Sequence, residues 1–386
     1  MKLNESGANS GRERIEALYR VHRQMAGEYG DVKDLARAIA VELTVEVPEA
    51  LIARFPALER DVVARVDEIH ESPDATEIQL SFDPSLAEGG LPQLINLLSG
   101  NVSMLPGIEL LEASLPPTVE SIFSGPKFGI QGIRERLGNF DRPIVATALK
   151  PRGAPLEEFE RVAEAFSRGG GEVIKDDHNL VEGRFEDYAE RVLRIRDAVR
   201  RGSESSGTKC LYHALLTGPL DELERRIRFL ESEEIDGILV APMLLGLEGT
   251  RQLIESTDRL VWTHPSFTGA VAHPAGSVLS PAFLHGTLFR WLGADAVVFV
   301  NHGGRFPISR SDCRSIAESC RAPRGTIRTA FPVPAGGMTF DRIGSMIADY
   351  GHDTILLIGG DLLIHEAGIE EGTRKFLEAI AVQSGS

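Results

Sequence analysis

After Phe140 the chain settles into a rhythm that few folds accommodate: a short apolar run, then a helical stretch, repeated eight times. The runs are PIVATALK, EVIKDD, KCLYHALLTG, GILVAPMLL, LVWTHPSF, AVVFVN, TIRTAFPVP and TILLIGG. The helices between them are legible. In PLEEFERVAEAFSRGG, Leu156, Phe159, Val162, Ala163 and Phe166 share one face, and Gly169 to Gly171 end the segment. Eight such units in roughly 240 residues match a closed (β/α)8 TIM barrel. An open doubly wound sheet fits eight units less well and carries a glycine fingerprint after its first strand, which this sequence lacks.

Before Phe140 the pattern is different. IEALYRVH alternates like a half-buried strand, and DVKDLARAIAVELT suits a helix capped by Asp31. VVARVDEIH and TEIQLSFD read as strands, GLPQLINLLSG as a helix and GIELLEASL as a strand. The order β-α-β-β-α-β is the split βαβ arrangement of ferredoxin-like domains. The expectation is an α/β chain with an N-terminal α+β ferredoxin-like domain over 1–138, a barrel over 139–386, and a frayed polar start over residues 1–12.

Composition narrows the partners. A formal charge of −16 argues against nucleic acid, which needs clustered Lys and Arg. The start, MKLNESGANSGRER, has no apolar run, and no stretch approaches the roughly 18 apolar residues of a membrane span. A cytoplasmic protein with reduced Cys210, Cys313 and Cys320 is expected. Cys313 and Cys320 suit one packed helix face better than a metal pair.

Barrel chemistry sits at the C-terminal ends of the strands, and there the polar residues concentrate: Lys150-Pro151-Arg152, Lys175-Asp176-Asp177-His178, His264-Pro265, Asn301 to Arg305, Gly336-Gly337 and Gly359-Gly360-Asp361. Along the second strand, Lys175 and Asp177 point to one side and Asp176 to the other. Such a cluster suits a divalent-metal site or an acid/base pair; a charged loop salt-bridged to itself is the bland reading. His213 reads equally as mouth-facing or buried, and His302 as a loop histidine within reach of substrate. His285 is expected to be packed in a helix, His273 to sit in a turn, and Trp262 and Trp291 to be core or dimer-contact aromatics.

Several segments resemble one family. GGGEVIKDDHNL resembles the RuBisCO signature G-G-x-D-F-x-K-D-D-E, and VATALKPRG its strand-one motif. GPKFGIQGIRERL, SGNVSMLPGI, HGTLFRWLGADAVV, PVPAGG and LLIGG resemble further segments, in order, over roughly residues 15–365. The resemblance implies that Lys150 handles the proton during enolisation and that Lys175 carries a carbamate. With Asp177, that carbamate would bind Mg²⁺. It also implies that His264 contacts substrate and that Gly336, Gly337, Gly359 and Gly360 grip a phosphate. Asn101 and Glu42 would be donated across a homodimer with shared active sites; Arg152, which follows the Lys-Pro pair, is a candidate to bind substrate or its phosphate, and Arg305 a catalytic candidate.

The departures matter as much. His178 stands where RuBisCO has a metal-ligand Glu, Arg305 where the carboxylase has Lys, Pro265 where an arginine binds a second phosphate, and Val298 where a His binds substrate. The segment after Glu42 lacks the carboxylase's Trp. Together these speak against CO₂ fixation and resemble form IV, the RuBisCO-like proteins. A neutral imidazole at 178 suits Mn²⁺ or another softer ion better than Mg²⁺. Mg²⁺ with His178 turned away, a softer metal through His178, and no metal with His178 as acid/base all stay open. The expected enzyme forms an enolate of a phosphorylated sugar acid or ketose, leaning to decarboxylases or transcarboxylase/hydrolases of oxo-acid sugars such as 3-oxo-isoapionate phosphate. The methylthioribulose-phosphate isomerase/enolase branch is the alternative, and a silent sugar-phosphate-binding barrel the alternative of another class.

Overall fold

The computed structural model describes residues 13–22, 31–73, 75–273 and 278–384; the start expected to fray, residues 1–12, lies outside them. The chain forms two compact units. The first comprises residues up to Phe123 with Thr268–Thr287 and Arg324–Thr326; the second holds Ser124–Phe267, Leu288–Pro323 and Ile327 onwards. A division at 138/139 leaves the two later segments with the barrel and the helix Gly129–Leu137 outside it.

In the first unit, β1 (Ile15–His22), β2 (Arg65–Glu71), β3 (Ala75–Phe82) and β4 (Ile108–Ser114) form an antiparallel sheet in the order β2-β3-β1-β4. This is the ferredoxin-like order expected from the element sequence. Alternation in β1 buries Ile15, Ala17, Tyr19 and Val21, so one face of the sheet is apolar and needs a cover. The helices Val32–Glu42 and Gly90–Ser99 each bury an apolar stripe, Leu35, Ala36, Ile39 and Ala40 in one and Leu91, Leu94, Leu97 and Leu98 in the other. Asp31 caps the first, its carboxylate accepting from the Lys33 amide at 3.1 Å.

The second unit is a closed, parallel eight-stranded barrel: β5 (Ile144–Leu149), β6 (Val173–Asp176), β7 (Leu211–Leu215), β8 (Gly237–Val240), β9 (Leu260–Thr263), β10 (Ala296–Val300), β11 (Phe331–Ala335) and β12 (Ile355–Ile358). Closure comes from pairing of β12 with β5. Each apolar run found in the sequence supplies one strand. The interior is filled by Ala146, Val173, Leu211, Leu239, Trp262, Val298 and Val333 among others, with Ile133 of the helix Gly129–Leu137 packed against them. The barrel is a packed core, not a pore, and Lys150, Lys175 and Asp177 stand where this packing ends.

Asp176 shows how the strand separates two roles. Alternation turns its carboxylate outward, where it accepts from Arg191 Nη1 at 2.5 Å, the Tyr212 hydroxyl at 2.9 Å and the Leu215 amide at 2.7 Å. Arg191, on the helix Phe185–Ser206, also holds Glu182 at 2.6 Å. This buried network clamps the strand end and the loop after it, leaving Lys175 and Asp177 on the other side. Cys313 and Cys320 are buried on one face of the helix Arg310–Arg321 with Ile316 and Ala317, and none of the three cysteines is in a disulfide. Trp262 is core, and His285 and Trp291 are buried in helical segments. His273 is exposed. No helix among the described residues is long and apolar enough to cross a membrane.

Candidate active site

The strand-two cluster and the end of β5 meet. Lys150 Nζ lies 2.8 Å from Asp177 Oδ2, with the Lys150 side chain 43% exposed and that of Asp177 6%. Burial by itself would raise the Asp177 carboxyl, but Lys150, the Asn179 amide and His178 together outweigh it and the net direction is down. Asp177 Oδ1 accepts from the Asn179 amide at 3.0 Å, which holds the carboxylate at the mouth.

Lys175 is buried, and its ammonium donates to the Asp176 carbonyl at 2.9 Å. Burial drives its basicity down to about 8, opposed by Asp177 and helped by Lys150. An amine of this kind is partly neutral near pH 8, the form that reacts with electrophiles.

Two imidazoles close the cluster. His178 stacks on His264 with ring centroids 4.2 Å apart and planes 18° from parallel. Burial, then Lys175, holds His264 down to about 2, so it stays neutral. Its Nδ1 accepts from the Ser266 amide at 3.2 Å and lies 2.8 Å from the Ser266 hydroxyl. The proton therefore sits on Nε2, which makes His264 a hydrogen-bond donor of fixed tautomer. His178 is half-exposed, its basicity lowered chiefly by burial, and its Nδ1 lies 3.6 Å from Asp177 Oδ1.

Three comparisons bear on this constellation. Residues 129–306 match the family model described as ribulose bisphosphate carboxylase large chain, catalytic domain. The chain is 36% identical over 372 residues to the 5-methylthioribulose-1-phosphate isomerase of Rhodospirillum rubrum, covering 96% of each. It is 34% identical to ribulose bisphosphate carboxylase-like protein 1 of Rhodopseudomonas palustris, over 96% of this chain and 98% of that one. The chain belongs to the RuBisCO-like protein family. A solved structure of a RuBisCO-like protein from Rhodopseudomonas palustris superposes with a TM-score of 0.82 at 32% identity, covering 96% of this chain and 98% of that one.

Other expected residues of this RuBisCO-like protein take varied positions. Arg152 is exposed after β5, where the Lys150–Pro151 peptide is cis. Arg305 is exposed on the loop after β10, its guanidinium 5.4 Å from the Phe306 ring centroid. Gly336 and Gly337 have φ of +90° and +65°, a region that only glycine enters freely. A side chain at Gly336, Gly359 or Gly360 would meet nothing within 4 Å, so packing does not demand glycine there. Asn101 and Glu42, both in the first unit, bond to each other at 3.1 Å.

Two histidines face elsewhere. His302 turns to Asp349, with Nε2 at 3.1 Å from Oδ2, and not to the mouth. His213 is wholly buried inside the barrel, its ring centroid 4.9 Å from that of Trp262 and both ring nitrogens without a hydrogen-bond partner among the described residues. It fits because its neighbour across the ladder is Gly237, where a Cβ would fall 2.2 Å from the imidazole.

Among the described residues no group of three His, Cys, Asp or Glu side chains is placed to hold a metal. Asp177 and His178 offer two donors, and a third needs Lys175 in an acidic form. Ser266 and Arg191 carry no motif of their own: Ser266 lies in LVWTHPSF two residues past His264, and nothing local marks Arg191.

Proposed function

We propose that this RuBisCO-like protein interconverts phosphorylated ketoses through an enolate, as an isomerase or enolase of the kind the Rhodospirillum rubrum relative is named for. The observation that carries this reading is the Lys150–Asp177 pair, a proton-bearing amine held at the barrel mouth beside a second, buried amine. Ketose isomerisation takes a proton from the carbon next to the carbonyl and returns it at a neighbouring carbon. In its neutral form the Lys150 amine takes that proton from carbon, and as the ammonium held by Asp177 it returns it at the neighbouring carbon. His264, neutral and protonated on Nε2, donates to a substrate oxygen that gains charge as the enolate forms. The glycines after β11 and β12 leave open backbone for a phosphate, and Arg152 and Arg305 add positive charge at the rim.

A divalent ion, Mg²⁺ or Mn²⁺, fits the donors present if Lys175 becomes a carbamate. Asp177 and His178 would complete the set, and the lowered basicity of Lys175 suits its reaction with CO₂. When bound, such an ion supplies Lewis-acid stabilisation of the enolate oxygen. Asn101 and Glu42 are the residues we assign to a partner subunit's site in a homodimer. A cytoplasmic setting suits three cysteines outside any disulfide. Decarboxylation of an oxo-acid sugar phosphate would pass through the same enolate; the name of the Rhodospirillum rubrum relative weighs towards isomerisation.

The test is solvent-proton exchange with ketose and sugar-acid phosphates in D₂O, with and without Mg²⁺ or Mn²⁺. Deuterium incorporation lost in Lys150→Ala and Lys175→Ala supports the reading. Release of CO₂ instead moves it to the decarboxylase branch. A phosphate that binds but shows neither makes the barrel a binding protein.

A further inference from the structure

The loops after β10 and β11 meet glycine against glycine. A Cβ at Gly337 would lie 3.2 Å from Gly304 Cα, and one at Gly304 would lie 3.6 Å from the Gly336 carbonyl. Across both turns lies one side chain, Arg342. Its Nη1 donates to the Gly337 carbonyl at 2.6 Å and its Nη2 to the His302 carbonyl at 2.8 Å. A Cβ at Gly337 would fall 2.7 Å from Nη1, and one at Gly303 would fall 3.0 Å from Nη2. Gly303 and Gly337 are thus needed partly to make room for this guanidinium.

Arg342 is half-buried, and no carboxylate pairs with it among the described residues. Nearby Arg310, by contrast, is neutralised by Asp349 at 2.6 Å. Two of the five N–H donors of Arg342 are spent on carbonyls, leaving three for a ligand. The residue also occupies the N-cap of the helix Ile343–Tyr350, whose first amides add positive potential at the same place. Barrels commonly bind phosphate at the loops after strands seven and eight; Arg342 ties the first of these, the loop after β11, to the loop after β10.

We propose that Arg342 is the fixed cation of the phosphate site, holding the two glycine turns together and contacting the phosphate monoester. The assignment rests on the phosphorylated substrate argued above. Its logic is electrostatic: glycine amides bring dipoles only, a dianion needs charge, and the exposed Arg305 is not tethered in this way. A planar fork anchored at two nitrogens can still present an edge to phosphate oxygens.

The experiment is direct binding of inorganic phosphate, followed by ³¹P line-broadening, to wild type, Arg342→Gln and Arg342→Lys, with circular dichroism as a folding check. Loss of a charged hydrogen-bond donor should weaken phosphate binding about 10- to 100-fold in Arg342→Gln. Arg342→Lys, which keeps the charge, should fall between, and the salt dependence of binding should flatten in Arg342→Gln. A folded Arg342→Gln that binds phosphate like wild type overturns the assignment. Should Arg342→Gln not fold, Arg342→Met is read in its place: wild-type affinity and salt dependence overturn the assignment, and weakened binding upholds it. Wild type that binds no phosphate removes both this site and the phosphorylated substrate. Wild type that binds phosphate through Arg342 yet exchanges no proton leaves the site standing and the isomerase reading fallen.

Discussion

Lys150 Nζ sits 2.8 Å from Asp177 Oδ2, joining the ends of neighbouring barrel strands across an ion pair that is open on one side and buried on the other. Because the Lys150 side of the pair is open to solvent and Asp177 keeps the Asn179 amide, the pair contributes about 1 kcal/mol to stability. Its removal should therefore act on turnover. Lys150→Ala is expected to lower kcat by about 10²- to 10⁴-fold, with a melting temperature close to wild type. Steady-state kinetics beside thermal denaturation check this; a large fall in melting temperature with modest loss of kcat would make the pair structural.

Lys175 should cost the fold stability. Its pKa is lowered by burial to about 8, so between about 8 and its unfolded value of 10.5 the unfolded chain binds more protons than the folded one. Stability from this group then rises with pH across that window and is least below it. In chelated, CO₂-depleted protein, Lys175→Met should be more stable than wild type at pH 7 by roughly 1–3 kcal/mol. The gain should shrink by pH 10, and activity should be lost throughout. Urea melts at the two pH values measure the difference.

The clamp behind the site should be the reverse case. Arg191→Met strands the Asp176 carboxylate in the interior, and breaking a buried pair costs about 3–5 kcal/mol. Tyr212→Phe removes an uncharged donor from the same carboxylate, and an acceptor from Arg191, and should cost about 1.5–3 kcal/mol. Equal losses in denaturant titrations would show that the hydroxyl, not the charge, anchors Asp176.

If each active site takes Asn101 from a partner, two inactive variants should complement. Asn101→Ala and Lys175→Ala, mixed after gentle subunit dissociation, should regain part of the activity that neither has alone. A mixture as inactive as its components, with hybrid dimers shown by native mass spectrometry, would place each site within one chain.

Much of this protein is written locally. Eight apolar runs with helical stretches between them point to the parallel strands of a barrel, because a run apolar on both faces must be covered on both. The N-terminal order of elements determines a ferredoxin-like sheet in the same way, and the strand ends name Lys150, Lys175, Asp177, His178 and His264 before any coordinates. What those side chains face is decided by tertiary structure. His302 looks like a mouth residue in sequence but pairs with Asp349 on a helix 47 residues later. His213 could face either way, and the missing side chain at Gly237 lets it turn into the core. Arg342 carries no motif; it becomes visible only when two glycine turns, distant in sequence, close around it. Periodicity is a property of neighbouring residues and can be read along the chain. Side-chain partners, burial and the basicity they impose depend on segments that only folding brings together.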